Sequence, residues 1–348
     1  MVTPPEGMAA AAIATGYQHS CALDDDGRAW CWGRNGSGQV GDGTTEDRAT
    51  PVAVSTSQRF SNISTGFGTT CAINLAGEMY CWGRGPINSL VPQAVATDTR
   101  FVDVASGGFH NCAIATDGRI YCWGMRSSEG QLGLGEEVGS TTPMPVLGDD
   151  RFIALDVADF QSCGVTDDGR ALCWGLNDRR QVGSGSDETW IWEPTRVVGE
   201  RTYVDIATGE RHSCAVADDG SAHCWGRNEY GERGVEEPGD VNEPVPVAGD
   251  LVFRSIEAGH DHTCAVTDLD LAYCWGRRAI GHEEGGASRV PALVMGDLEW
   301  EVVDGGWWHT CGLTASGRLR CWGVNQQGQL GTGTGTGHAA PEPVADPG

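Results

Sequence analysis

Short apolar segments recur along the chain, and glycine or acidic residues bound each of them. No apolar pattern with the 3.6-residue period of a helix lasts longer than one turn. An aliphatic residue recurs eight positions before a cysteine, at Ile13, Ile63, Val104, Leu155, Ile206, Ile256 and Val303. Except in the first copy, a large ring precedes the same cysteine by eleven positions, at Phe60, Phe101, Phe152, Tyr203, Phe253 and Trp300. These patterns predict short β-strands separated by tight turns.

The cysteines reveal an internal repeat. They form seven pairs whose members are ten positions apart: Cys21 and Cys31, Cys71 and Cys81, Cys112 and Cys122, Cys163 and Cys173, Cys214 and Cys224, Cys264 and Cys274, and Cys311 and Cys321. Similar residues surround each pair, as in Gly16-Tyr-Gln-His-Ser-Cys21 and Gly209-Glu-Arg-His-Ser-Cys214. The chain therefore consists of seven copies of one supersecondary unit of about 50 residues.

Each unit contains a β-hairpin between its two cysteines. If Cys21 lies opposite Cys31, a three-residue loop ending in Gly27 connects the two strands. This is a type I turn with a G1 bulge, whose last residue must accept a positive φ. Glycine occupies that position in six units, and Asp270, a residue type that tolerates positive φ, occupies it in the other. The register places the paired cysteines directly opposite, about 4.5 Å apart at Cα, and so predicts seven disulfides.

Seven units of four short strands predict an all-β, seven-bladed β-propeller that forms one domain over residues 1–348. A solenoid would need terminal repeats with an atypical polar face, and neither end has one. The last segment, Ala340–Val344, matches the segments Thr50–Val54 and Thr142–Val146 of earlier units. We expect it to lie beside the first unit and to close the ring.

Composition excludes several classes of function. The chain has 48 Asp and Glu against 23 Lys and Arg, which gives a formal charge of −25, and no lysine occurs. An acidic surface repels phosphate backbones, which argues against nucleic-acid binding, and the lack of lysine excludes P-loop and Schiff-base chemistry. The longest apolar run, Met8–Ala14, is far shorter than the roughly 20 residues that cross a bilayer. The first five residues show no signal peptide.

The repeated motifs resemble those of the RCC1 (regulator of chromosome condensation) repeat family. The family pattern Gly-x-x-His-Thr/Ser-x-Ala-Leu is similar to residues 259–266, and Trp-Gly-x-Asn-x-x-Gly-Gln-Leu-Gly is similar to residues 322–331. The resemblance extends from about residue 8 to 344 and implies a seven-bladed propeller. The second half of the motif is degraded in the second unit, at residues 82–88.

Members of this family have different functions, so the fold does not determine the function. One is a nuclear guanine-nucleotide exchange factor, one is a plant ultraviolet photoreceptor, and a secreted bacterial member inhibits β-lactamases. The photoreceptor has Trp directly after the motif glycine in several blades, whereas Trp307 alone is found there in this chain. Paired cysteines do not fit a reducing nucleus. They favour the disulfide-bearing, secreted bacterial type and an extracellular, cell-surface or periplasmic location.

Other repeated residues have structural interpretations. The C-x9-C spacing lacks the C-x2-C of zinc sites, which favours disulfides over metal. Histidines two positions before the first cysteine are expected to bond within their own blade, at His19, His110, His212, His262 and His309. Tryptophans after the second cysteine are expected to pack between blades, at Trp32, Trp82, Trp123, Trp174, Trp225, Trp275 and Trp322. The G-x-G-x-x-G at residues 36–41 precedes no helix and is no nucleotide site. We predict no catalytic residue, metal or cofactor.

Variation within the repeat marks the candidate site. We call the first glycine of the family pattern, such as Gly16, the motif glycine. The two residues that follow it, such as Tyr17 and Gln18, differ between units and are often aromatic. We expect them at one mouth of the propeller's central channel. The sequence Trp190-Ile191-Trp192 is a second candidate, in a loop that is either exposed or packed on its blade. The candidate binding face comprises Tyr17, Phe67, Phe109, Phe160, Arg211, His260, Trp307, Trp308, Trp190 and Trp192.

The sequence as a whole predicts a non-catalytic, exported scaffold that binds a macromolecule, foremost a protein, through loops on one propeller face. A guanine-nucleotide exchange factor for a small GTPase is one alternative, but it would need reduced cysteines and a long loop insertion. A carbohydrate-binding module is the other alternative, and binding to a glycan array would reveal it.

Overall fold

Seven antiparallel sheets of four strands each form a closed ring. A computed structural model of the chain describes residues 7–124, 128–278, 280–282 and 286–347. Within every sheet the strands are neighbours in the order in which they occur along the chain. The predicted all-β, seven-bladed β-propeller is confirmed, and each sheet is one blade. The prediction that residues 1–5 contain no signal peptide concerns residues outside those that the structure describes.

The strands of blades 1 to 3 are β1 (Ala12–Thr15), β2 (His19–Leu23), β3 (Ala29–Gly33), β4 (Arg48–Ala53), β5 (Phe60–Thr65), β6 (Thr69–Asn74), β7 (Met79–Gly83), β8 (Ser89–Ala94), β9 (Phe101–Ser106), β10 (Asn111–Ala115), β11 (Ile120–Gly124) and β12 (Ser140–Pro145). Those of blades 4 and 5 are β13 (Phe152–Val157), β14 (Gln161–Thr166), β15 (Ala171–Leu176), β16 (Trp190–Arg196), β17 (Tyr203–Thr208), β18 (His212–Ala217), β19 (Ala222–Gly226) and β20 (Val241–Pro246). Those of blades 6 and 7 are β21 (Phe253–Ala258), β22 (His262–Thr267), β23 (Ala272–Arg277), β24 (Ala287–Leu293), β25 (Trp300–Gly305), β26 (His309–Thr314), β27 (Leu319–Gly323) and β28 (His338–Pro343).

The first strand of every blade lies at the centre of the ring. Each contacts the first strand of the next blade, and β25 of blade 7 contacts β1 of blade 1. Seven strands therefore enclose a central channel, and the fourth strands form the partly exposed outer wall. Among the described residues, no helix is long and apolar enough to cross a bilayer.

The hairpin register agrees with the predicted one. Cys21 lies opposite Cys31 and Leu23 opposite Ala29, and the other six blades have the equivalent pairing of cysteines. Gly27 has φ 74° and Asp270 has φ 59°. Asp270 therefore adopts the left-handed conformation that the loop requires.

The seven predicted disulfides are present, one in the hairpin of each blade. Their Cα atoms are 4.0 to 4.1 Å apart, slightly closer than the expected 4.5 Å. The bonds join Cys21 to Cys31, Cys71 to Cys81, Cys112 to Cys122, Cys163 to Cys173, Cys214 to Cys224, Cys264 to Cys274, and Cys311 to Cys321. All fourteen cysteines of the chain are thus bonded within their own hairpins.

A hydrogen-bonded unit joins neighbouring blades. The main-chain carbonyl of Gln39 in blade 1 accepts bonds from Trp82 Nε1 (2.9 Å) and Thr70 Oγ1 (2.7 Å) in blade 2. The unit recurs at four further interfaces, with the accepting carbonyls of Gln131, Gln181, Glu232 and Gln329. The seven repeated tryptophans are at most 1% exposed. Their predicted position between blades is confirmed.

The repeated histidines extend this unit. His19 Nε2 lies 2.9 Å from Thr70 Oγ1, and the equivalent pairs are His110–Ser162, His212–Thr263, His262–Thr310 and His309–Ser20. We expected bonds within one blade, and that expectation is wrong because the second strand packs against the next blade. In blade 4, Gln161 takes the histidine position and donates from Nε2 to Ser213 Oγ.

Ring closure also differs from the expectation for Pro341–Val344. Strand β28 pairs with β27 of its own blade, with Arg320 opposite Pro343, rather than with the first unit. Blade 7 thus completes its own sheet, as every other blade does. Residues 7–10 connect the two end blades, since Met8 N donates to Val344 O (3.0 Å) and Met8 O accepts from Leu319 N (2.9 Å). Met8 is buried in a cluster with Leu319, Val344 and Trp32.

We predict that removing one hairpin disulfide, in a double variant that combines Cys264→Ala with Cys274→Ala, lowers the free energy of unfolding by about 2–3 kcal/mol. The bond closes an eleven-residue loop and restricts the unfolded chain. Urea unfolding measures the loss, and non-reducing peptide mapping of the unmodified protein is the control. Links between different hairpins, or free thiols in the native protein, would contradict the register.

Burial of the interblade histidines makes stability sensitive to acid. Burial lowers the pKa of His212 to about 3, whereas the unfolded side chain titrates near 6.5. The folded protein keeps His212 neutral, so the free energy of unfolding is highest above pH 6.5 and decreases as the pH falls from 6.5 towards 3. At pH 5 each such histidine lowers the free energy of unfolding by about 2 kcal/mol, because its side chain is protonated in the unfolded chain and neutral in the folded protein.

We therefore predict that His212→Gln, which copies Gln161 of blade 4, reduces the loss of stability between pH 7.5 and pH 5 by about 2 kcal/mol. Urea unfolding of both proteins at the two pH values measures this difference, and the comparison at pH 7.5 subtracts any effect of the substitution itself. An identical loss in both proteins would mean that His212 is not the group that titrates.

Candidate binding face

The residues after each motif glycine form tight turns at one mouth of the channel. Gly16 N donates to His19 O (2.9 Å), which leaves Tyr17 and Gln18 at the tip of the connection between β1 and β2. The same bond recurs in all seven blades, with Ala158 in place of the glycine in blade 4, so seven such turns surround the mouth. The repeat sequence thereby places its variable positions on one face.

The motif glycines narrow the channel directly beneath these turns. Tyr17 N donates to Gly66 O (3.1 Å), and Trp307 N donates to Gly16 O (3.2 Å), so neighbouring turns are hydrogen-bonded to each other. A Cβ atom at Gly66 would overlap the carbonyl oxygen of Gly107. Glycine is needed here because the backbones of adjacent blades are in contact.

Six aromatic side chains from five neighbouring blades form a continuous surface at this mouth, which we call the aromatic arc: Phe160, Phe109, Phe67, Tyr17, Trp307 and Trp308. Its successive ring centroids are 4.8, 6.3, 4.4, 3.2 and 4.4 Å apart. Phe109 is 38% exposed, and the other five rings are half-buried. The arc thus covers the channel mouth and also presents rings to solvent.

Two arginines lie over the arc. Arg84 Cζ is 5.3 Å from the centroid of Phe67, and Arg278 Cζ is 4.7 Å from that of Trp308. Both distances are within the range of cation–π interactions. In a chain with a charge of −25, this face therefore carries local positive charge next to its rings.

A pocket opens between blades 2 and 3, at the side of the arc. It has a volume of about 380 Å³ and is lined by Phe67, Arg84, Phe109 and two glycines, Gly68 and Gly108. In blade 1 the connection between the third and fourth strands spans residues 34–47, but in blade 2 it spans only residues 84–88. The degraded repeat motif of blade 2 thus leaves room for the pocket.

Charged side chains occupy the gap in the ring of aromatics, and we call them the charged cluster: Glu210, Arg211, Arg227, His260 and Asp261. His260 lies 3.0 Å from Glu210 through Nε2 and 3.1 Å from Asp261 through Nδ1. Arg227 pairs with Asp261 and with Glu232 (2.8 Å). Burial opposes the charge on the imidazole, but the hydrogen bonds and charges of Asp261 and Glu210 raise the pKa of His260 to about 9.

Glu210, His260 and Asp261 are also close enough together to hold a metal ion. Arg227 pairs with Asp261 and lies 4.0 Å from Glu210, so its positive charge opposes a cation held by these groups. The donor set therefore fits a network of ion pairs better than a metal site.

The second candidate segment lies at the same end of blade 4 as Phe160, because Trp190 pairs with Leu176 and Leu176 N donates to Phe160 O (2.8 Å). Trp190, Ile191 and Trp192 belong to strand β16 and not to a loop, so the expected loop is wrong. Ile191 lies opposite Gly175 and is 7% exposed, which anchors the segment in the interblade core. Trp190 is 47% exposed. Arg211 and His260 lie in the charged cluster.

The sequence analysis missed five carboxylates inside the channel: Asp103, Asp156, Asp205, Glu257 and Asp304. All belong to the first strands of their blades and line one cavity. Each is adjacent to the repeated aliphatic residue, as Asp103 is to Val104 and Glu257 is to Ile256. An acidic residue beside a buried aliphatic position was the signal that could have identified them.

Comparison with known families agrees with this architecture. The family model of the RCC1-like domain matches residues 86–347, and models of the regulator of chromosome condensation (RCC1) repeat match residues 10–39 and 26–73. The RCC1-like domain model alone matches well over half of the chain, which is enough to assign the chain to a family. The chain belongs to the RCC1 repeat family.

Individual relatives are distant. The E3 ubiquitin-protein ligase HERC2 of Mus musculus is 27% identical over 221 residues, which are 62% of this chain but only 4% of HERC2. The structure of Prp20p from Saccharomyces cerevisiae has a TM-score of 0.77 at 23% identity and covers 85% of this chain and 80% of Prp20p. Human WBSCR16 has a TM-score of 0.83 at 21% identity, with 91% and 94% covered. These structures share the fold.

We predict that His260 titrates with a pKa of about 9 and that Glu210→Gln lowers this value. The substitution removes one of the two carboxylates that stabilise the imidazolium. NMR spectroscopy of the histidine side chains from acidic to alkaline pH measures both values. His212 is the internal control, because burial keeps it neutral near and above neutral pH. A pKa of His260 at or below the ordinary histidine value would contradict the proposed ion pairs.

Proposed function

We propose that this chain is a non-catalytic, exported scaffold that binds a protein partner through the aromatic arc. The observation that carries the proposal is the continuity of the arc, in which rings from five blades contact one another at a single mouth. Aromatic residues and arginine are the residues enriched at energetically important positions of protein interfaces. The arc supplies the aromatic residues, and Arg84 and Arg278 beside its rings supply the arginines.

The pocket that Phe67 and Phe109 line, at the side of the arc, supports a protein partner further. Its volume of about 380 Å³ lies within the range of ligand pockets, and it accepts one large side chain of a partner. Arg84 at the same pocket contacts the ring of Phe67 and forms no ion pair with another described residue, so its charge is available to an acidic group of a partner. We expect the partner to place an anchoring side chain in this pocket.

Protein binding is favoured over the two alternatives. Trp307 and Trp308 stack on each other at 4.4 Å, so ring faces that a sugar would need are partly occupied. The exchange-factor alternative would require a reducing compartment, which the seven disulfides oppose. Prp20p, which has the same fold, is described by its binding to Gsp1p and histones. By analogy, this supports protein binding for the present chain.

The disulfides also support export. A reducing cytosol would keep these fourteen cysteines as thiols, whereas an extracellular, cell-surface or periplasmic location preserves the bonds. The charged cluster supports a non-catalytic role, because its His260 is protonated and its acidic groups are paired with arginine or histidine. None of these groups is placed to act as a general base at neutral pH.

We predict that Phe109→Ala and Trp308→Ala each weaken partner binding by about 2 kcal/mol, roughly thirtyfold in Kd, with little effect on the melting temperature. The partner is captured from the native extracellular fraction with the disulfide-intact protein, identified by mass spectrometry, and its affinity measured by calorimetry. Trp307→Ala is expected to lower stability as well, since Tyr17 and Trp308 pack on its ring.

Leu269→Ala is the matched control. Leu269 is 72% exposed in the hairpin loop between β22 and β23, at the opposite end of its blade from the arc. We expect it to leave affinity unchanged. If Leu269→Ala weakened binding while Phe109→Ala and Trp308→Ala did not, the functional face would be the other mouth.

A further inference from the structure

The hydrogen-bonded unit that joins neighbouring blades is missing between blades 2 and 3. At five other interfaces a loop carbonyl accepts bonds from a repeated indole and from a serine or threonine hydroxyl, as Gln39 O does from Trp82 and Thr70. In blade 3 the equivalent residues are Trp123 and Asn111, which lie opposite each other in the hairpin. Trp123 Nε1 makes no hydrogen bond with any residue that the structure describes.

The short connection of blade 2, residues 84–88, accounts for the missing unit. A Cβ atom at Gly83 of blade 2 would lie 3.0 Å from Cα of Gln39, so the loop of blade 1 packs directly on that strand. At the equivalent Gly124 of blade 3, the nearest atoms belong to Phe109 and His110 of the same blade. The pocket of about 380 Å³ that Phe109, His110 and Asn111 line therefore lies where a loop docks at the complete interfaces.

Asn111 lines this pocket with a carboxamide that is not hydrogen-bonded. The residue is 5% exposed, and its Nδ2 makes no hydrogen bond with any residue that the structure describes. Its Oδ1 lies 3.7 Å from Sγ of Cys71, but this sulfur belongs to a disulfide and has no proton to donate. Buried polar groups without partners are rare in folded proteins and cost stability. The pocket thus contains a nearly buried group that needs both an acceptor and a donor.

Arg84 gives the pocket a positive charge. Its guanidinium lies over the ring of Phe67 and forms no ion pair with another described residue. Among the pocket residues that the structure describes, none is an aspartate or a glutamate. His110 at the wall is neutral, because burial lowers its pKa to about 3. The charge of Arg84 is therefore not balanced by any residue that lines the pocket.

A peptide segment satisfies all of these groups together. A main-chain peptide group offers one N–H and one C=O, which is the combination that the carboxamide of Asn111 needs. A carboxylate forms charge-assisted hydrogen bonds with a guanidinium such as that of Arg84. Phe67, Phe109 and Pro86 add apolar walls. At the complete interfaces this part of the blade binds a main-chain carbonyl of a loop, which favours a peptide over a small molecule.

We propose that the pocket binds an acidic peptide segment of the protein partner, which takes the place of the loop that blade 2 lacks. A main-chain peptide group of the segment bonds to the carboxamide of Asn111, and an aspartate or glutamate side chain pairs with Arg84. An apolar side chain of the segment packs against the rings of Phe67 and Phe109. This inference rests on the proposed function and adds the chemistry of the segment that the partner presents.

The first test selects peptides for the pocket without knowledge of the partner. A phage-displayed library of random, disulfide-constrained peptides is selected on the intact, disulfide-bonded protein and counter-selected on a graft variant. The graft replaces residues 84–88 with the sequence of residues 34–47 and includes Asn111→Ser, so that the connection of blade 1 is copied and fills the pocket. We expect the selected peptides to contain aspartate or glutamate and to bind the graft at least about tenfold more weakly, as calorimetry measures.

Two single substitutions test the same peptides in case the graft fails to fold. Arg84→Gln is expected to weaken binding roughly fivefold, because it removes an ion pair at an exposed position. Asn111→Ser copies Ser162 of blade 4 and is expected to weaken binding several-fold, because the carboxamide is lost. Arg34→Gln is the matched control, since Arg34 has the position of Arg84 in blade 1, where the connection is complete, and it should change the affinity less than twofold.

Four results would overturn the proposal. They are equal effects of Arg84→Gln and Arg34→Gln, selected peptides without a carboxylate, no selected peptide at all, and tighter binding of a small carboxylate such as 3-phenylpropionate than of any selected peptide. The last result would show that the pocket takes a small molecule.

The second test uses the captured partner and separates this inference from the proposed function. We expect Arg84→Gln and Asn111→Ser to weaken partner binding several-fold and Trp308→Ala, which lies outside the pocket, to weaken it as well. If Trp308→Ala weakened binding and the two pocket variants did not, the pocket assignment would be wrong and the proposed function would stand. If none of the three weakened binding, both would be wrong.

Discussion

The hydrogen-bonded unit between blades is the interaction on which the rest of this structure depends. A loop carbonyl such as that of Gln39 accepts bonds from the indole of Trp82 and the hydroxyl of Thr70, and the hydroxyl also meets His19. Each blade alone is a small sheet with apolar faces, and this unit sets how closely the next blade packs and at what angle. Repetition around the ring then closes the channel. The disulfides act within blades and stabilise the hairpins that carry the unit.

Strict repetition also leaves some positions free for function. Because the repeated residues form the core, the two residues after each motif glycine vary without loss of the fold, and they lie together at one mouth. The resulting aromatic arc is continuous because the turns of neighbouring blades are hydrogen-bonded to each other beneath it. The degraded motif of blade 2 also leaves space for a functional site. Its connection between the third and fourth strands is short, residues 84–88, and this opens the pocket beside Phe67.

Features that depend only on neighbours along the chain could be predicted from the sequence, down to individual residues. The ten-residue cysteine spacing and the turn residues Gly27 and Asp270 determine the hairpin register without reference to other blades, because a G1-bulge turn allows only one pairing. The number of repeats then predicted the number of blades. The face of the candidate site was predicted in the same manner, since Tyr17 and its equivalents follow a repeated glycine in six of the seven units and Ala158 in the fourth.

Relationships between blades were decided only by the tertiary structure. The partners of His19 and its equivalents lie in the next blade, Pro341–Val344 completes its own sheet, and Trp190–Trp192 begins an outer strand. The five channel carboxylates are far apart in sequence, and nothing in any one repeat indicates that they share a cavity. By itself the sequence determined the repeat, the register and the disulfides, because these depend on neighbours along the chain. The contacts across the ring depend on the curvature that packing imposes, and a linear pattern does not contain that curvature.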